Sequence, residues 1–237
     1  MPYPWYLDLI IPVGFFILFF MTCCLEKQHI KQYIACEDAK LSSASPYCHA
    51  VVQQAGSLGF QNLGTFAQDR KSKIYTAVMG YWLSPDGKTL ARIAGGKTAK
   101  INIRRTTLIS YDANGRRLET ADDFAGVDLT GIVNREVLMR AHLPELYGRH
   151  QERLAVLAFD ARLFPHGDIL AFNENMEMVR YSQLKQMGLA RPVNREESIW
   201  NYTVRGAWLN YFQGFRKQLE AAKLQRERVK MKRPGDA

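Results

Sequence analysis

No lysine or arginine occurs before Lys27, and no cysteine occurs after Cys48. The first absence removes the positive start that a cleaved secretory leader needs. Met21-Thr22-Cys23-Cys24 is also a poor cleavage site. Cys23 alone would suit a lipoprotein signal, but the basic start is again missing. The second absence excludes a disulfide framework, because Cys23, Cys24, Cys36 and Cys48 crowd the first fifth of a 237-residue chain. That usage agrees with a reducing compartment; Cys36 and Cys48 could pair only if the domain were exported. Repetition at a 40-residue period is missing too, so the single Ser84-Pro85-Asp86-Gly87-Lys88 turn reads as one tight hairpin rather than a propeller blade.

Catalytic and metal-binding patterns are equally sparse. His142, Glu145 and His150 do not reproduce the spacing that stacks two imidazoles on one helical face, and Pro144 falls between the first two. Cys48 and His49 are neighbours in sequence, and neighbours on a helix point apart. Gly95-Gly96-Lys97-Thr98 lacks the glycine spacing and following helix of a phosphate loop, and reads as a turn between strands. No catalytic residue, cofactor or metal ligand set is expected.

What is present starts with Leu9 to Leu25, 17 residues without a charge. As a helix this run is about 25 Å long, close to a hydrocarbon core of about 30 Å. Tyr3, Trp5 and Tyr6 suit one side of an aromatic belt. The run reads as an uncleaved, single-pass transmembrane helix within residues 1–25. Lys27, Lys31 and Lys40 follow it, so the positive-inside rule puts the N-terminus outside and the remainder in the cytoplasm.

The net charge is +9, and every lysine and arginine behind it lies beyond that helix. Arg216, Lys217, Lys223, Arg226, Arg228, Lys230, Lys232 and Arg233 form its densest stretch, against Glu220 and Glu227. These eight side chains are the candidate contact to an anionic surface, either lipid or an acidic protein partner.

The expected fold class is α+β: the transmembrane helix, an antiparallel β-meander, then a helical C-terminal half. Residues 26–55 read as juxtamembrane helices and a linker. Glu26 to Lys40 continues the first helix, Leu41 to Ser45 is the Ser-rich link, and Ser45-Pro46 caps a helix to Ala55. Residues 56–124 read as a sheet of about five strands, with Ile74 to Leu83 central and Asn114-Gly115 a hairpin signal. Residues 125–237 read as helical: Pro144 to Leu163, then Asp168 to about Met187, and a final helix from about Val204 to Lys230. Trp200, Tyr202, Trp208 and Tyr211 are aromatics that could serve contact or core.

Within that half, Gln183 to Trp208 resembles the C-terminal part of a winged-helix module. A helix ends at Met187-Gly188-Leu189-Ala190, a strand–turn–strand wing follows, and Tyr202-Thr203-Val204-Arg205-Gly206 opens another helix. The resemblance implies DNA or protein binding through the helix before the wing. Glu177 beside Arg180 and Lys185 makes that helix mixed in charge, which argues against nucleic acid as partner.

Three functions fit this reading. The first is a non-enzymatic, membrane-tethered binding or scaffold module. The second is a membrane-bound enzyme or small-ligand domain with a pocket between sheet and helices. The third is a membrane-tethered, winged-helix-like regulator.

Overall fold

A computed structural model of the protein describes residues 21, 27–29, 33–68, 75–98, 102–123, 131–165, 167–197 and 199–209. Apart from Met21, the expected transmembrane run lies outside the described residues, as do the eight basic residues from Arg216 to Arg233. Among the described residues, no helix is long and apolar enough to cross a membrane.

The architecture is α+β. Seven strands form one sheet in chain order: β2 (Tyr33–Cys36), β3 (Gln61–Gln68), β4 (Tyr75–Leu83), β5 (Leu90–Thr98), β6 (Asn102–Tyr111), β7 (Arg117–Ala121) and β8 (Val133–Val137). Neighbours pair antiparallel except β7 with β8, which run parallel. Two predicted turns punctuate the meander. Gly87 (φ +69) ends the Ser84 turn, and Gly115 (φ +74) the Asn114 turn, both left-handed positions that suit glycine. A second sheet of three strands joins β9 (Ala190–Pro192), β10 (Ile199–Tyr202) and β1 (Gln28–His29).

The large sheet is covered on both sides, as period-two alternation requires of strands apolar on both faces. Helices α1 (Ala39–Ala44), α2 (Pro46–Ser57) and α3 (Leu143–Val156) lie on one face. Leu41, Cys48, Val51, Leu143 and Leu146 pack there against Ala91, Ile93 and Leu108. Close docking depends on Gly80 and Gly95. A Cβ at Gly80 would come within 3.0 Å of Leu41 Cδ2, and one at Gly95 within 3.0 Å of Cys48 Sγ. On the opposite face Phe164 and Ile169 pack on Tyr81, Leu83, Leu90 and Ile109. Ile169 opens α4 (Ile169–Gln186), whose Tyr181 and Leu184 share a further core with Val133, Trp200 and Tyr202. A short turn, α5 (Val204–Ala207), follows, capped by the Thr203 hydroxyl.

Several expectations change. Glu26 to Lys40 is not one helix: Gln28–His29 and Tyr33–Cys36 are strands, because each finds a strand edge, β10 and β3. The Ser-rich link is the helix α1, held by burial of Leu41. Gly95 and Gly96 lie inside β5 rather than in a turn, where the missing side chain admits Cys48. The sheet has seven strands, extending past residue 124 to Val137, within the half expected to be helical. Pro144 sits in the first turn of α3, where its missing N–H costs nothing. Trp200 and Tyr202 are buried core, one of the two uses open to them from the sequence, while Trp208 is exposed. Tyr211 lies outside the described residues.

Candidate functional site

Two polar constellations occupy the two faces of the large sheet. Under α3, His150 is fully buried. Its Nε2 lies 3.0 Å from Ser110 Oγ and its Nδ1 lies 2.9 Å from Thr120 Oγ1. The Ser110 hydroxyl donates to the Lys88 carbonyl at 2.7 Å. Its oxygen therefore accepts from His150, which puts the imidazole proton on Nε2. A histidine serving as general base to a serine needs the opposite polarity. Arg153 Nη1 donates to the Thr120 hydroxyl and the Glu119 carbonyl, and its Nη2 donates to Asn134 Oδ1 at 2.7 Å. Burial, then the nearby Arg153 charge, push the imidazole down to about 3. The ladder fastens α3 to β6, β7 and β8 and keeps His150 neutral. His142 and Glu145 are exposed at the start of α3, so the three candidate ligands do not meet.

At the far end of the same face, the Tyr47 phenol donates to the Asp122 carboxylate and also contacts the Thr106 hydroxyl. The Thr106 N–H donates to Asp122 Oδ1 at 2.7 Å. Burial raises the Asp122 carboxyl. Next to Tyr47, the Cys48 thiol is buried and raised by burial, whereas His49 is exposed and contacts Gln53. Cys36 and Cys48 are free thiols.

The other face carries the candidate site. Alternation puts Arg92 (β5), Arg105 (β6), Arg117 and Glu119 (β7) and Arg135 (β8) on one side, through the pairs Arg92–Thr107, Ile109–Glu119, Tyr111–Arg117 and Glu119–Arg135. Ala94, Thr107 and Ala121 on the same side are small. From above, α4 adds Glu177 and Arg180. Arg135 donates to Glu119 through Nε at 2.7 Å and again through Nη2. Arg117 Nη1 donates to Glu177 at 3.0 Å and its Nη2 to the Met176 carbonyl at 3.4 Å. Arg180 reaches Glu177 and the Tyr202 hydroxyl. Arg105 lies 3.9 Å from Asp123.

Charge here is shared unevenly. Burial alone would raise the Glu119 carboxyl; Arg135, Arg117 and Arg92 override it and hold it at about 2. Glu177 is also held low against burial, by Arg117, Arg180 and Arg92. Two carboxylates are thus each shared by three guanidiniums. Arg105 is pushed down by burial, then by Arg92, with Arg135 adding to it. A net basic charge was legible in the sequence, but its gathering on one sheet face was not. Arg92, Arg105 and Arg117 fall in segments that read as strands, but Arg135 falls in one that read as helical, and only the strand register brings the four to one side.

From Ile169 to Ala207 the elements run helix, strand, turn, strand and a four-residue helix. The strand pair β9 and β10 is built into a sheet with β1, and Glu177 and Arg180 turn toward the arginine face. Comparison with family models, with curated proteins and with solved structures found no match to the chain.

Proposed function

We propose that the protein is a single-pass membrane-tethered, non-enzymatic binding module. The observation that carries this reading is the uncharged run Leu9 to Leu25 followed by Lys27, Lys31 and Lys40. On this reading the N-terminus is outside and the folded part is on the cytoplasmic side. The binding role draws support from the arginine-bearing sheet face. It also draws support from the burial of Ser110, His150 and Cys48, whose reactive groups serve packing. The basic stretch from Arg216 to Arg233 adds an attraction to anionic lipid or an acidic protein surface.

The test is fractionation of the full-length chain carrying a C-terminal reporter active only in the cytoplasm. Retention in the membrane after carbonate extraction, with an active reporter, is expected. Release by carbonate overturns the tether, and a silent reporter on a retained protein overturns the orientation.

A further inference from the structure

We propose that the arginine-bearing face of the large sheet, centred on Arg92, Arg105 and Arg135, binds a small, multiply charged oxyanion of the phosphate type. The inference names a ligand class for the binding module proposed above and rests on that reading.

The argument begins with register. Arg92, Arg105 and Arg135 stand on β5, β6 and β8, and strands lie about 4.8 Å apart, so three long side chains can lean toward one point. The residues between them on that face, Ala94, Thr107 and Ala121, are small. They leave a shallow floor across which guanidiniums can meet. Thr107 and Ala121 are fully buried although they carry little bulk, so larger neighbours roof them.

Charge gives the second argument. Like charges within a few ångströms repel, and a partly dehydrated site strengthens the repulsion. The Arg105 guanidinium feels Arg92 and Arg135, against the opposing pull of Asp123 and Asp122. Glu119 is divided among Arg135, Arg117 and Arg92, and Glu177 among Arg117, Arg180 and Arg92, while Asp123 and Asp122 act on Arg105. Arg92 therefore takes part in both groups and dominates neither. An anion with two or more charges placed over Arg92 and Arg105 lessens the repulsion between these two guanidiniums.

Side-chain chemistry gives the third. All five cationic residues of the cluster are arginine, although the chain also carries 13 lysines. A planar guanidinium offers paired donors that match the oxygens of a phosphate or carboxylate, whereas an ammonium is a point charge. A tetrahedral oxyanion can take paired donors from three directions; one carboxylate cannot. The site is open enough for this, since the Arg105 side chain is 33% exposed while that of Arg135 is 14% exposed.

The same oxyanion could come from a soluble phosphate compound or from a lipid headgroup at the adjoining membrane. The experiment therefore has two arms, both using the full-length chain in detergent or liposomes. In the first, calorimetry follows titration with inorganic phosphate, with chloride at matched ionic strength as control. Saturable binding to the wild-type chain is expected, together with a rise in melting temperature. Arg105→Gln and Arg92→Gln should each weaken it at least about tenfold, as loss of a charge-assisted bond requires. Arg105→Lys should fall in between. In the second, flotation compares neutral phosphatidylcholine vesicles with vesicles that include phosphatidic acid. Phosphate competing the chain's preference for the acidic vesicles points to the headgroup; phosphate binding without that preference points to a soluble ligand.

Absence of saturable phosphate binding by the folded wild-type chain in both arms overturns the inference. Equal binding by wild type and the two glutamine variants also overturns it. Either failure, alongside membrane retention and an active reporter, leaves the tethered module standing and removes only its ligand. Phosphate binding by a chain that carbonate releases would do the reverse.

Discussion

Replacing Gly95 by alanine adds one methyl group, and the position chosen makes it costly. The new Cβ would fall within 3.0 Å of Cys48 Sγ and 3.2 Å from the Ala44 Cβ. Cys48 is fully buried between α2 and the sheet, with Val51 and Leu41 in the same core, so its thiol has no vacant direction to turn. Helix α2 must move outward, and overpacking of this kind costs about 1–3 kcal/mol. For a domain of this size the melting temperature should fall by roughly 3–10 °C. The sign runs against local propensity, since alanine is ordinarily better than glycine inside a strand by about 0.5–1 kcal/mol. Cys48→Ala alone removes the sulfur and should cost about 1 kcal/mol through a small cavity. In the double variant the methyl added by Gly95→Ala occupies the space the sulfur left. Its stability in urea should return to within about 1 kcal/mol of wild type, a coupling of about 1–2 kcal/mol. Strict additivity of the two single losses would refute the idea that the glycine is there to admit the thiol.

Other consequences follow from the polar networks and caps. His150 binds no proton in the native state above about 3 but does so near 6.5 when unfolded, so the stability it contributes is present above pH 6.5 and is lost as pH falls toward 3. The slope should approach about 1.4 kcal/mol per pH unit below 6.5, and His150→Gln should flatten it; an unchanged slope in that variant would place the acid sensitivity elsewhere. Glu119→Gln leaves Arg135, Arg117 and Arg92 without their shared carboxylate and should cost about 3–5 kcal/mol in urea unfolding. A loss below about 1 kcal/mol would mean that the guanidiniums are neutralised by other groups. Asp168→Ala removes the acceptor for the Leu170 and Ala171 N–H groups and should cost about 1 kcal/mol, read as a lower melting temperature.

The elements that sequence reasoning located were those fixed by local chemistry. Ser45 accepts from the Cys48 N–H and Pro46 follows in the first helical turn, as their order implied. Asp168 caps α4, and Gly87 and Gly115 take left-handed turns, because each of those choices depends on a few neighbouring residues. The elements that were missed depend on distant partners. Tyr33 to Cys36 became a strand because β3 offered an edge, and Val133 to Val137 because β7 did, in parallel. Neither short run advertises its partner. The arginine face was hidden for a related reason: Arg92, Arg105, Arg117 and Arg135 come from four strands, and only strand register reveals that they share a side.

The pairing of β1 with β10 has a bearing on the order of events in synthesis. Gln28 pairs with Trp200, a partner 172 positions further along the chain. The meander between them is built mostly from neighbours in sequence and can form as it emerges, whereas closing so long a loop first would be entropically unfavourable. At ribosomal speeds of about 5–20 residues per second, Gln28 and His29 wait roughly 10–30 s for their partner strand to exist. The three-stranded sheet is therefore the last part to close, and it closes over a domain already folded.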